Sequence, residues 1–128
     1  MVLVDSSVWV LLGELPSVEE LARGEEVVTC PPVIEEVLRG VRSERRYLSL
    51  QRTFRAMTVL ESPMPLEVFE HAALIFRTAR AGGLTIRSGY DCLIAACAIR
   101  NAASLLHMDR DFAAIARVTT LEARNLAN

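Results

Sequence analysis

Three kinds of pattern alternate along the chain. Short, unbroken apolar runs rich in β-branched residues, Val2-Leu3-Val4 foremost, fit strands buried on both faces of a parallel sheet. Similar runs at 26–29, 58–60, 104–108 and 118–121 predict four more strands. Between them, apolar residues recur every three or four positions, as on helices with one buried face. Val33, Ile34, Val37, Leu38 and Val41 make one such series after Pro31-Pro32, residues 43–57 an arginine-rich second, and residues 66–80 a third that Gly82-Gly83 stops. A helix over 8–12 follows the first strand, with Ser6 or Ser7 as its cap, and Ser17 with Glu20 forms a capping box for another that ends at Gly24. Residues 92–99, behind a cap at Ser88, are apolar on every side and belong at the centre of the fold against the sheet. A short helix over 112–116 completes the series. Alternating strands and helices predict an α/β fold: a three-layer α/β/α sandwich with a mostly parallel sheet, in one domain over residues 1–128.

Composition narrows the class. With 52% hydrophobic and 23% charged residues and only 6 Gly and 5 Pro, the chain excludes disorder and collagen. Its longest apolar run, 92–99, is far below the ~20 residues of a membrane span. No basic residue or cleavage-site pattern precedes Asp5, so a cytoplasmic protein without a membrane partner is expected. Cys92 and Cys97 stand about 140° apart around a helix, too far to share a metal, and with Cys30 read as buried thiols in a reducing compartment. All 14 basic residues are Arg. P-loop ATPases, Schiff-base enzymes, receiver domains and haloacid-type phosphatases, which use a lysine at the phosphate or carbonyl, are therefore disfavoured. No Gly-x-Ser-x-Gly or His-Glu-x-x-His motif is present. Trp9 reads as core, His71 as a surface or helix-packing residue and His107 as a strand-end residue.

Charge is uneven. Residues 1–36 carry eight acids against Arg23 alone, whereas residues 37–60 carry six arginines against Glu44. The arginines make either a solvated helix face or a phosphate-tracking stripe beside an acidic site.

Ligands of open parallel sheets bind beyond the carboxyl ends of the strands. Asp5 ends the first strand, Asp109 follows the fourth, Asp91 opens the central helix, and Glu36 lies early in the helix after the second strand. Gathered at one edge, each pair of carboxylates about 5 Å apart repels by about 3 kcal/mol at an effective dielectric of 20. Such a cluster needs a cation or a proton. Oxygen ligands alone favour Mg2+ or Mn2+ over Zn2+. Each acid also has a structural use: Asp5 can cap the first helix, Asp91 can complete a box with Ser88, and Asp109 or Asp111 can cap the helix holding Phe112. Glu35 and Glu36 stand almost equally far from their helix's apolar arc; Gly40, on the Glu36 face, favours Glu36 by leaving room beside it.

At these positions the chain resembles the PIN-domain nucleases, and within them the VapC-type toxins of toxin–antitoxin pairs. Val-Leu-Val-Asp5-Ser-Ser7 is similar to the opening strand and first acid, Glu36-Val-Leu-Arg-Gly40 to the second element, Gly83-Leu-Thr-Ile-Arg87 followed by Asp91-Cys-Leu-Ile-Ala-Ala96 to the segment of the third acid, and Leu-Leu-His-Met-Asp109-Arg-Asp111-Phe112 to the closing element. Here His107 and Met108 precede Asp109, where members often have Thr or Ser and a small polar residue. The resemblance implies a metal-dependent endoribonuclease with Asp5, Glu36, Asp91 and Asp109 as catalytic acids. Asp5, Asp91 and Asp109 would hold Mg2+ or Mn2+, with Asp111 a secondary acid and Ser7, Arg39 and Arg42 meeting the RNA. It also implies a small antitoxin whose inserted Arg or Lys occupies the acids, with an amphipathic segment on the helices at 8–12 and 33–38, and a homodimer. A non-catalytic RNA-binding or scaffold module, a housekeeping nuclease and a DNA-acting nuclease are the alternatives.

Overall fold

A computed structural model describes residues 1–127. Its centre is a five-stranded sheet in the order β3-β2-β1-β4-β5, built from β1 (Val2–Val4), β2 (Val27–Thr29), β3 (Thr58–Val59), β4 (Ser104–His107) and β5 (Ala123–Asn125). Every pairing is parallel. Seven helices surround it: α1 (Ser6–Leu12), α2 (Leu15–Ala22), α3 (Pro31–Gly40), α4 (Glu44–Ala56), α5 (Leu66–Ala81), α6 (Gly89–Arg100) and α7 (Arg110–Val118). The α/β architecture read from the alternation is present, and no helix among the described residues is long and apolar enough to cross a membrane.

The central strands are β1 and β4, all of whose residues are buried. Their register sets Val2 against Ser104, Leu3 against Leu105 and Val4 against Leu106, and the Asp5 N–H continues the ladder by donating to the Leu106 carbonyl. Asp5 and the residues after His107 thus leave adjacent strands at the same sheet edge. Helix α6 lies in the core as its uniform apolarity demands, with Cys92, Ile94, Ala95, Ala96, Cys97 and Ala98 buried. All three cysteines are free and buried. Trp9 is fully buried, its ring meeting Phe54 of α4 edge-on at a centroid distance of 5.0 Å.

Several local expectations are corrected. The cap of α1 is Asp5, not Ser6 or Ser7, which both lie inside the helix. Helix α2 starts at Leu15 with Pro16 in its first turn, so Ser17 is interior and its capping box does not form. Ser88 precedes α6 without a side-chain cap, so the box with Asp91 is absent too. Residues 118–121 are not a strand: α7 runs on to Val118, with Thr119 Oγ1 bonding back to the Ile115 carbonyl, and the last strand is β5.

Replacing Phe54 with Ala removes the partner of the Trp9 ring and is expected to cost about 3–5 kcal/mol. Urea unfolding followed through Trp9, the single tryptophan, measures it, and a red-shifted native emission would accompany the loss.

Candidate active site

Each acid reaches the sheet edge by a local device. Asp5 is held extended (φ −69°, ψ 156°) between β1 and α1, and its Oδ2 accepts from the Ser7 N–H at 3.1 Å and from the Ser7 hydroxyl. That hydroxyl accepts in turn from the Met108 N–H at 3.2 Å. Ser7, expected to meet substrate, is thus occupied in joining Asp5 to the β4 exit, where His107 and Met108 offer no hydroxyl of their own. Asp109 caps α7, its Oδ1 accepting from the Asp111 N–H at 2.9 Å. Asp91 sits in the first turn of α6, where the free N–H groups favour an acid, and is 5% exposed. The capping use of Asp5 and Asp109 and their place at the sheet edge coexist: one oxygen holds the helix end and the other is free of that duty.

Asp91, Asp109 and Asp111 each offer a carboxylate oxygen, and these lie within 4.8 Å of one another. Asp5 belongs to the same field. Burial, followed by the charges of Asp109, Asp5 and Asp111, pushes Asp91 up to about 8. Burial also raises Asp5 against the lowering pull of its Ser7 hydrogen bonds, with Asp109 adding repulsion. Glu36 accepts from the Ser6 hydroxyl at 3.0 Å and is raised by burial and, less, by the Asp5 charge. The structure therefore brings together Asp5, Asp91, Asp109 and Asp111, with Glu36 at their flank.

Other expected residues fall elsewhere. Glu35 turns away from the cluster, accepting from the Tyr90 hydroxyl at 2.8 Å and pairing with Arg39 at 3.3 Å. Arg39 also lies 4.0 Å from Glu36 and stacks over the Tyr90 ring. Arg42 and Gly40 line a groove with Val10 and Arg46 that contains none of the acids, and the space a side chain would take at Gly40 is open. His107 is buried against Phe112; its Nδ1 accepts from the Asp109 N–H, and burial lowers its pKa.

Sequence reasoning placed Arg87 in the segment before the third acid and gave it no role. Its N–H donates to Asp111 Oδ2 at 3.0 Å, its Nε lies 3.4 Å from Asp111 Oδ1, and its Nη2 lies 3.5 Å from Asp109 Oδ1. The signals were its place four residues before Asp91 and at the end of the 83–87 segment, and neither gives a direction for the side chain.

Two buried carboxylate oxygens, Asp5 Oδ1 and Asp91 Oδ2, have no hydrogen-bond partner among the described residues. Unpaired buried anionic oxygens are costly, and a hard cation satisfies them without a donor. The donor set is all oxygen, so the residues fit a divalent ion of that kind.

Known proteins resemble the chain in sequence and in fold. The PIN domain pattern matches residues 2–118. Ribonuclease VapC11 of Mycobacterium tuberculosis and VapC ribonuclease Mb1587 of Mycobacterium bovis are each 38% identical to the chain, covering 96% of it and 97% of their own lengths. The chain belongs to the PIN-domain family, in the branch of the VapC ribonucleases. Among solved structures, VapBC-5 from Mycobacterium tuberculosis superposes with a TM-score of 0.73 at 20% identity, with 97% of each chain covered. VapBC-1 from nontypeable Haemophilus influenzae does so with a TM-score of 0.73 at 16% identity over 100% of both. At those identities the likeness is one of fold.

A carboxyl whose folded pKa is raised contributes stability that is present below its unfolded value and lost as pH rises through the folded one. For Asp91 that window runs from its usual 3.8 to about 8. His107, lowered by burial, acts in the opposite sense, losing its contribution as pH falls through its usual 6.5. Between pH 6.5 and 8, the metal-free protein is expected to melt at progressively lower temperature as pH rises, and Asp91→Asn to flatten that slope. Thermal melts in chelator across the range check both.

Proposed function

We propose that the chain is a metal-dependent endoribonuclease, the toxin of a toxin–antitoxin pair, which uses Mg2+, with Mn2+ able to replace it. The observation that carries the reading is the pair of unpartnered buried oxygens on Asp5 and Asp91, both acids lying in the field of a third carboxylate on Asp109. Relatives named ribonucleases, 38% identical over nearly their whole length, support RNA as the substrate.

In this reading Asp5, Asp91 and Asp109 hold the ion. Bound there, it would lower the pKa of a water and offset charge developing on the phosphate. The chain's own groups do the rest. Ser7 fixes the Asp5 carboxylate by two donated hydrogen bonds and locks it to the Met108 backbone. Glu36, half-buried and raised in pKa, is suited to take a proton from the attacking water; Ser6 orients it. Arg39, 64% exposed at its side chain and beside Glu36, is the nearest phosphate-binding group on that flank, with Arg42 beyond it in the connection between α3 and α4.

The same charge predicts the inhibitor. A partner that inserts an Arg or Lys among Asp5, Glu36, Asp91 and Asp109 gains charge-assisted hydrogen bonds and competes with the ion, whereas an acidic tip is repelled. Solved relatives of this fold are VapBC assemblies, which supports a small antitoxin as the partner. Exposed Val10 and Leu11 on α1 and the groove lined by Ile34, Leu38 and Phe54 offer it apolar surface. The working unit is proposed to be a homodimer in the cytoplasm, each chain a single domain.

Inducible expression in bacteria, with mapping of new RNA 5′ ends, tests the reading. Wild type is expected to arrest growth and create new ends, and Asp5→Asn and Asp91→Asn to abolish both. Purified Asp5→Asn is expected to cleave RNA at least about 100-fold more slowly, and Glu36→Gln roughly 100-fold more slowly. Glu35→Gln, outside the cluster, is expected to stay within about threefold of wild type. Wild type that neither arrests growth nor cuts RNA in Mg2+ would leave only a binding module.

A further inference from the structure

By distance alone, the tightest trio at the site is Asp91, Asp109 and Asp111. Hydrogen bonding divides these acids differently. Both oxygens of Asp111 are engaged by one residue: Oδ2 by the Arg87 N–H at 3.0 Å and Oδ1 by the Arg87 Nε at 3.4 Å. The third contact of Arg87 is to Asp109 Oδ1, the oxygen that already caps α7, so it does not engage Asp109 Oδ2. The unpartnered oxygens are on Asp5 and Asp91 instead. Asp111 is 3% exposed, yet the Arg87 side chain that neutralises it is 53% exposed and enters the cluster from solvent.

We propose that Arg87 is a built-in counter-ion of the acidic site: it withholds Asp111 from the metal, and so fixes Asp5, Asp91 and Asp109 as the coordinating set. This rests on the metal reading given above. Arg87 is a positioning residue, and its action is electrostatic and steric together. Its guanidinium cancels one of four crowded charges in a geometry that a planar fork can span and a point charge cannot. By spanning Asp111 and Asp109 it ties both carboxylates to one side chain and leaves Asp109 Oδ2 out of its contacts. A site with Arg87 in place carries one fewer uncompensated carboxylate and therefore binds a divalent ion less tightly than the four acids alone would. A modest affinity keeps room for waters that substrate phosphate can displace, as Mg2+ sites usually require.

Calorimetric titration of Mg2+ into metal-free protein, together with melting temperatures in chelator, tests this without reference to turnover. Arg87→Met leaves the backbone donor to Asp111 intact and removes the cation. It is expected to lower the melting temperature in chelator and to tighten Mg2+ binding about tenfold, the order that follows from removing a unit charge within a few ångströms of a divalent ion even at the dielectric of water. The double variant Arg87→Met with Asp111→Asn removes a neutral pair and leaves no surplus charge, so it provides the measurement even where the single variant does not fold. Its affinity for Mg2+ is expected within about threefold of wild type. A tenfold or greater loss in the double variant would make Asp111 a ligand and overturn the proposal. So would an Arg87→Met protein that binds Mg2+ no more tightly than wild type. Wild type that takes up no Mg2+ or Mn2+ at all would instead overturn the metal reading on which the proposal stands.

Discussion

The parallel register between β1 and β4 is the constraint on which the site depends. It aligns Val4 with Leu106 and extends through the Asp5 N–H to the Leu106 carbonyl, so that two acids more than one hundred residues apart leave adjacent strands at one edge. Side chains alternate along a strand, so a slip of one position would turn Asp5 from one face of the sheet to the other. The register is held by burial on both sides: Val2, Leu3, Val4, Leu105 and Leu106 are almost wholly excluded from water. Hydrophobic packing in the middle of the molecule therefore sets the spacing of charges at its rim.

That spacing is electrostatically unfavourable in the bare protein. Asp91 is raised by burial and by three neighbouring aspartates, and the chain offsets part of the load with its own groups. Ser7 donates to Asp5, Ser6 to Glu36 and Arg87 to Asp109 and Asp111. The donors fall unevenly, satisfying the outer oxygens and leaving inner ones on Asp5 and Asp91 unpaired. The unevenness defines a coordination pocket more sharply than the distances do. With no lysine in the chain, the internal cation at the site is an arginine, whose two-nitrogen edge can hold two carboxylates at once.

Much of this was legible in the sequence because the signals were strong and local. The wholly apolar Val2-Leu3-Val4 and the segment 92–99 can only be interior, and acids at the ends of parallel strands converge whatever the loops between them do. Weak elements were not legible. The strand Ala123–Asn125 is short and not fully buried, so it carries no apolar run, while of the apolar residues before it Val118 ends α7 and Leu121 is buried in the connection that follows. Caps were left open where an acid and a serine could each do the work, as Asp5, Ser6 and Ser7 could for α1, and the acid took it. Within the site, residue types and positions could be read but directions could not. Nothing in the order Glu35-Glu36 says that one bonds to Tyr90 and the other to Ser6, and nothing near Arg87 says that its backbone meets Asp111 across the chain.

Asp5 is at once the residue that closes the central strand and the residue that starts α1. A helix of seven residues is only about 10 Å long, stiff over that distance and rooted at the carboxylate itself. Its outer end shows Val10 and Leu11 to solvent while Trp9 anchors its inner side. Tilt of this short rod and placement of the first carboxylate are consequently a single mechanical coordinate, with Trp9 as the fulcrum.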